Sequence, residues 1–361
     1  MRESRVKVGV CGTGFVANIH TDALSHCPQA ETVAVYSRNQ ARGKKFAQER
    51  GIPKVYTDYE KMISDPEIDL VVLGIPNDLH CEFTVKAAEM KKHIFVEKPL
   101  CLTLEEADKM INACKKNRVQ LFYGENLCFA PKYVRLKELI DEGALGKPFY
   151  IRHRESHFGP HSRWFWDIER SGGGAFMDMG CHGIEFARWL LNKPKVKRVL
   201  CSLGRYVHLK KTRGEDDAVC ILEFENGARA VIENSWALRG GLDDRAEVMG
   251  SGGVAFCDLV IGNSIRLFSA KGYGYAVEKA ETTKGWGYAI YREHEMYGYP
   301  EEFAHIIDCL QRRKKPIETA EDGKLVLEVM LAGYLSAKLG RWVELPAKLP
   351  RNKKPYQLWL E

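Results

Sequence analysis

Apolar and polar positions in this chain follow two different periods, and the balance between them shifts near residue 124. Residues 5–11 (RVKVGVC) are rich in β-branched side chains that alternate with polar ones, which predicts a strand. A helical pattern over 15–26, a strand over 32–37 and a helix over 40–50 follow. Residues 69–75 (DLVVLGI) are almost wholly apolar, as a strand buried on both faces of a parallel sheet requires. A helix over 78–91, a strand over 93–96, a helix over 103–117 and a strand over 119–123 continue the alternation. Thr103 and Glu106 have the spacing of a capping box at the start of the second of these helices. Strands alternating with helices predict an α/β Rossmann domain, a doubly wound parallel sheet, over residues 1–124.

The pattern then changes with no flexible linker. A helix over 127–141 ends before Gly143, which suits a left-handed cap. A strand over 148–155, a long aromatic loop, the run Ser171-Gly172-Gly173-Gly174 and a helix to about 191 come next. Between 196 and 268 strands succeed one another without helices, and 217–225 and 228–236 are joined by Asn226-Gly227, a strong hairpin signal. Helices over 301–313 and 321–339 precede a short tail. This predicts a second α/β domain over 125–361, with a large, mostly antiparallel open sheet.

Composition narrows the class. Hydrophobic residues are 45% and charged residues 28% of the 361, which excludes a disordered chain and a coiled-coil rod. Lys and Arg number 54 against 48 Asp and Glu, a net +6, with no dense basic stripe, so no nucleic-acid partner is expected. The eleven cysteines are scattered and form no CxxC pair, so the expectation is a reduced, cytoplasmic protein. No apolar stretch approaches a membrane span, and the apolar run before Gly12 and Gly14 is too short for the core of a secretion signal.

The first strand leads into Gly12-Thr13-Gly14-Phe15-Val16-Ala17, a match to G-x-G-x-x-G/A in the strand–turn–helix context the motif requires. Gly12 permits the tight turn, Gly14 lets backbone approach a pyrophosphate, and the helix N-terminus attracts phosphate. The second strand ends in Ser37-Arg38 where an NAD site usually has Asp or Glu. A hydroxyl beside a guanidinium suits a 2′-phosphate, so NADP is favoured over NAD. Alternatively, Arg38 is a solvated loop residue and NAD binds without a carboxylate partner.

Three further motifs fall at strand ends or helix starts: Pro76-Asn77-Asp78-Leu79-His80, Glu97-Lys98-Pro99 and Asp178-Met179-Gly180-Cys181-His182. With the glycine motif, and in this order, they make the whole chain resemble the glucose–fructose oxidoreductase/inositol dehydrogenase/MocA family. The resemblance implies Lys98 as active-site lysine and Asp178 and His182 as an acid–base pair. Taken with the glycine turn and the Ser37-Arg38 strand end, the nucleotide-site candidates are Gly12, Gly14, Phe15, Val16, Ser37, Arg38, Pro76, Asn77, His80, Glu97, Lys98 and Asn126, with Glu125 a weaker candidate. The resemblance further implies a sugar or polyol substrate, no metal, and a homodimer or homotetramer assembled through the open sheet.

The chemistry is coherent without the family. Oxidising a carbinol needs a hydride acceptor and a base, and imidazole titrates near neutrality, which suits His182. Asp178, four residues earlier, can orient that ring or bind a hydroxyl. Lys98 can hold the substrate oxygen and stabilise alkoxide character. Which of Lys98 and His182 takes the proton stays open. Pro99 is expected to follow a cis bond.

Residues 153–167 (HRESHFGPHSRWFWD) crowd three histidines and two tryptophans into one segment. Aromatic faces beside polar edges suit a sugar ring, so His157, Arg163 and Trp164, with Lys98, Asp178 and His182, are substrate-binding candidates. The alternative is a loop packed in a subunit interface. His153, His157 and His161 are four apart, but Gly159-Pro160 interrupts a helix and no evident carboxylate completes a ligand set, so no metal is expected. The aromatic segment 285–299, with His294, reads as an ordinary loop or as a cover for the substrate. Cys181, beside His182, would confer thiol-reagent sensitivity if exposed. The reading is an NAD(P)-dependent oxidoreductase acting on a sugar or polyol carbinol. Its alternatives are a redox-cycling enzyme with tightly held cofactor and a non-catalytic dinucleotide sensor.

Overall fold

Val8, Val10, Leu70, Val72 and Phe95 have no exposed surface, and strands with two buried faces need a sheet covered on both sides. The computed structural model, which describes residues 5–274, 279–290 and 292–361, supplies one. Its strands are β1 (Val6–Cys11), β2 (Ala30–Tyr36), β3 (Lys54–Tyr56), β4 (Leu70–Leu73), β5 (His93–Glu97) and β6 (Leu121–Gly124). They lie in the order β3-β2-β1-β4-β5-β6, and every pairing is parallel. Helices α1 (Phe15–Ser25), α2 (Gln40–Arg50), α3 (Tyr59–Ile63), α4 (His80–Glu89) and α5 (Leu104–Asn117) connect them. Thr103 and Glu106 form both bonds of the expected capping box. β3 and α3 are additions to the sequence reading, because three- and five-residue elements are too short to show a period.

Two compact units partition the chain: Met1–Asn126 with Gly298–Leu325, and Leu127–Tyr297 with Val326–Glu361. Residues 298–325, which the sequence reading assigned to the second domain, thus group with the nucleotide sheet. The cause is the helix Tyr299–Arg312, whose Phe303, Ile306 and Ile307 share a core with Phe95 and Phe122. Thr319 then bridges Phe122 at the edge strand.

The second unit is built on β7 (Pro148–Ser156), β8 (Val196–Gly204), β9 (Asp217–Phe224), β10 (Arg229–Ser235), β11 (Asp243–Gly250) and β12 (Gly253–Asp258). With β15 (Val343–Glu344) they form a sheet in the order β12-β11-β7-β10-β9-β8-β15, while β13 (Ser264–Ser269) and β14 (Gly285–Ile290) form a separate hairpin. All pairs in the large sheet are antiparallel except β7–β10. Gly227 has φ +85° at the β9–β10 turn, as the Asn-Gly signal required. The helix Cys181–Leu190 packs on one sheet face so closely that a Cβ at Gly183 would meet Ile232 at 2.5 Å. Among the described residues no helix is long and apolar enough to cross a membrane.

In the first unit Glu302 is 1% exposed, and burial together with Glu97 and Glu125 pushes its carboxyl well above the usual range. A raised acid binds its proton more tightly folded than unfolded, so stability falls as pH climbs above the ordinary carboxylate pKa. Glu302→Gln should therefore melt about 2 °C or more above the parent at pH 8 and converge with it near pH 4, as scanning calorimetry will show.

Candidate functional site

The first unit's contribution begins at the β1–α1 turn. Gly12 has φ +110°, and a Cβ there would lie 2.4 Å from the Gly74 carbonyl oxygen, so no other residue fits. Gly14 caps α1 with no side-chain hydrogen bond, and a Cβ built on it meets nothing within 4 Å. Phe15 and Val16 open the helix. Backbone amides at an uncapped helix start, beside open space, fit a dinucleotide's pyrophosphate.

At the end of β2, Ser37 is buried, and its hydroxyl donates to the Asn39 carbonyl (3.0 Å) and accepts from the Asn39 amide (3.3 Å). Asn39 in turn caps α2 through the Arg42 amide. The hydroxyl expected to meet a 2′-phosphate is thus engaged in its own turn, and only Arg38 of that pair is exposed.

Glu97 ends β5. Its Oε1 lies 2.7 Å from His20 Nε2, and its Oε2 accepts the Lys98 amide at 3.0 Å. This fixes the backbone that carries Lys98, whose side chain is half-buried. The Lys98–Pro99 bond is cis, as expected. His80 has no exposed surface, and its ring reaches the Pro99 and Ile75 carbonyls, each at 3.0 Å. Burial lowers its pKa, and a neutral imidazole donates its one N–H to only one of these carbonyls in each tautomer. His80 therefore ties the loop after β4 to the turn after β5. Pro76 precedes the short 3-10 helix Asn77–Leu79, and Asn77, Glu125 and Asn126 are buried.

The second unit's residues are set by Glu215. This carboxylate, pushed up by burial, accepts the amides of Gly174 (2.8 Å) and Phe176 (3.0 Å) and the Tyr334 hydroxyl (2.6 Å). A Cβ at Gly174 would sit 1.8 Å from the Glu215 carbonyl oxygen, and one at Gly173 would sit 2.0 Å from the Tyr334 hydroxyl. The glycine run is therefore a close-packed seat for a π-turn, Phe176–Gly180. The α-helix begins after that turn, so Asp178 stands in the π-turn and His182 in the first turn of the α-helix. Trp236, just past β10, donates its indole N–H to Asp178 Oδ2 at 3.1 Å. Asp178 is 4% and His182 5% exposed. Cys181 is wholly buried, its thiol near the Met177 and Asp178 carbonyls, so it is no reagent-accessible thiol.

The aromatic loop folds against this set. Trp164 stacks on Phe165 (4.1 Å between centroids), and Phe165 and Trp166 both meet Trp236 edge-on. His157 is 1% exposed, donating through Nδ1 to the Gly159 carbonyl at 2.8 Å, and burial holds it well below the ordinary imidazole range. Arg163 is exposed. His153 belongs elsewhere: it is buried in the sheet core, 3.4 Å from Asp244. Residues 285–290 of the aromatic segment form β14, His294 lies in the turn Glu293–Met296, and residue 291 is outside the described residues. The sequence reading missed His20, Glu215 and Trp236. Trp236 could have been found as an aromatic closing a polar-ended strand.

A 3-2-1-4-5-6 parallel sheet with an open glycine turn defines a dinucleotide-binding oxidoreductase architecture. Residues 6–125 match the model of the oxidoreductase family with an NAD-binding Rossmann fold, and residues 133–256 match the GFO/IDH/MocA C-terminal domain. The chain is 32% identical to myo-inositol 2-dehydrogenase of Thermotoga maritima, over 92% of this chain and 96% of that one. It is also 32% identical to scyllo-inositol 2-dehydrogenase (NAD(+)) of Bacillus subtilis, over 96% and 98%. The solved structure of GenD2 from gentamicin A biosynthesis, in complex with NAD, superposes with a TM-score of 0.90 at 29% identity, covering 96% of this chain and 98% of that one. This chain belongs to the GFO/IDH/MocA family and is an NAD(P)-dependent oxidoreductase.

Trp236→Phe keeps the ring and removes the donor to Asp178. It should lower kcat/KM about tenfold while leaving nucleotide affinity unchanged, read by steady-state kinetics beside nucleotide titration.

Proposed function

We propose that the enzyme transfers hydride between a nicotinamide and a carbinol carbon of a sugar or polyol. The observation that carries this reading is the Trp236–Asp178 hydrogen bond within an aromatic wall of Trp164, Phe165 and Trp166. An oriented carboxylate beside aromatic faces matches a sugar's hydroxyl rim and apolar ring face. The inositol dehydrogenases among its relatives support the same substrate class.

A bound nicotinamide supplies the hydride acceptor. Lys98, its backbone set by Glu97, stabilises negative charge developing on the substrate oxygen. His182 takes or returns the hydroxyl proton, and Asp178 orients a hydroxyl or the imidazole. Gly12, Gly14, Phe15, Val16, Pro76, Asn77 and Asn126 contribute the nucleotide surface. Glu97 and His80 hold that surface in place from behind. His157 and Trp164 build the substrate wall, and exposed Arg163 extends it.

For the cofactor we favour NAD. Ser37 is occupied in its turn, and the relatives named with a cofactor are named with NAD. Exposed Arg38 leaves a secondary capacity for NADP. The open sheet face supports a homo-oligomer: Phe256, opposite Glu247, is 75% exposed and Val254, opposite Met249, is 50% exposed. Phe256→Glu should lower the mass measured by light scattering.

The decisive assay is reduction of NAD and NADP, followed by absorbance, with a panel of inositols and monosaccharides. The parent enzyme should prefer NAD by about tenfold or more. Lys98→Met should lose about a thousandfold in kcat with nucleotide binding preserved. A Lys98→Met enzyme with near-parental turnover removes the role assigned to that residue.

A further inference from the structure

The spacing His157-x-x-x-His161 would suit a metal on a helix, and the chain is not helical there. The structure reaches the same convergence by another route. Gly159, at φ +71°, turns the loop back so that the two imidazoles meet edge to face with centroids 4.9 Å apart. The carboxylate that the loop itself does not supply comes from the π-turn. His157, His161 and Asp178 each place a nitrogen or oxygen within 4.8 Å of the others.

We propose that His157, His161 and Asp178 form a binding site for a divalent first-row cation of the Zn²⁺ class. Two imidazoles and one carboxylate are a common ligand set for such ions and leave positions open for a further oxygen. Bonds of about 2.0–2.1 Å need donors roughly 3.3 Å apart, which small side-chain rotations supply from the observed spacing.

The surroundings are those of metal ligands. The His157 Nδ1–H is donated to the Gly159 carbonyl, which fixes the tautomer and puts the lone pair on Nε2. Lys279 Nζ braces the same carbonyl at 3.1 Å. The Trp236 indole takes Asp178 Oδ2, the outer-shell bond that aims a ligating carboxylate. Phe165, Met179 and Trp236 form an apolar cluster beside it, limiting water around the ion. His157 and Asp178 are buried, and His161 is half-buried. The cation site shares Asp178 with the catalytic set and His157 with the substrate wall described above. Its use, to polarise a substrate hydroxyl, rests on the sugar or polyol reading.

The test uses the full-length protein, stripped with a chelator and dialysed, then titrated with Co²⁺ and separately equilibrated with Zn²⁺. About one equivalent of Zn²⁺ by mass spectrometry and visible Co²⁺ ligand-field bands are expected. His161→Ala, a change at a half-buried position, should weaken Zn²⁺ affinity about tenfold or more. His157→Gln should do the same, and His26→Ala, on an exposed helix end, should not change it. Circular dichroism melts will show whether each variant is folded. Uptake well below one equivalent by the parent, or equal uptake by folded parent and His161→Ala, overturns the site. Dehydrogenase activity is measured separately on stripped and loaded protein. Metal bound without polyol oxidation leaves this inference standing and removes the substrate reading. Oxidation without metal uptake does the reverse.

Discussion

The first unit depends on one buried carboxylate. Glu97 is 8% exposed at the end of β5, with His20 on one oxygen and the Lys98 amide on the other. Removing either partner leaves a buried polar group unpaired, which costs about 1–3 kcal/mol. Those two bonds tie α1, which starts at the phosphate turn, to the turn that presents Lys98. His80 adds a second tie, from the loop after β4 to the Pro99 carbonyl. Phosphate turn, β4 loop and lysine turn are therefore linked through side-chain hydrogen bonds. Burial first, and then the neighbouring Glu97 and Glu125, push the Glu302 carboxyl well above its usual range.

The second unit repeats the device with a different acid. Glu215 collects two backbone amides and a tyrosine hydroxyl at the start of the π-turn, where helix amides lack internal partners. The glycines beside it contribute by absence, since a Cβ at Gly173 or Gly174 would overlap Tyr334 or Glu215. Trp236 then aligns Asp178 from the end of β10. In both units an acid behind the working surface sets the backbone, and the side chain that faces chemistry is carried on the backbone it holds.

That arrangement explains what could be read from the sequence. The parallel sheet was legible because burial on both faces leaves apolar runs and because helices such as α5 carry their own caps. The antiparallel sheet was legible through Asn226-Gly227 and the lack of helices between strands. The candidate site residues were legible as motifs: Gly12, Lys98, Asp178 and His182 all stand at or near element ends. The supports were not. His20 and Glu97 are 77 residues apart, and Trp236 and Asp178 are 58 apart, so no local pattern joins them. The grouping of 298–325 with the first unit was hidden for the same reason, because Phe303 looks like any amphipathic helix residue until Phe95 and Phe122 are beside it.

His80 shows where motif reading and physical reading part. As a letter in Pro76-Asn77-Asp78-Leu79-His80 it stands at a strand's carboxyl edge, where ligands bind. As a side chain it has no exposed surface, and both ring nitrogens face carbonyls of its own unit. Ser37 follows the same logic, with donor and acceptor both spent on Asn39. His157 differs, because the Gly159 carbonyl takes Nδ1 and the ring's other nitrogen is turned toward the company of His161 and Asp178. Asp178 is likewise aimed by an indole from β10 into a group of side chains that chemistry can use. Among residues brought to an edge by the same fold, those whose hydrogen bonding is spent on backbone of their own unit are braces. Those held from behind and pointed at other titratable groups are where binding and catalysis are to be sought.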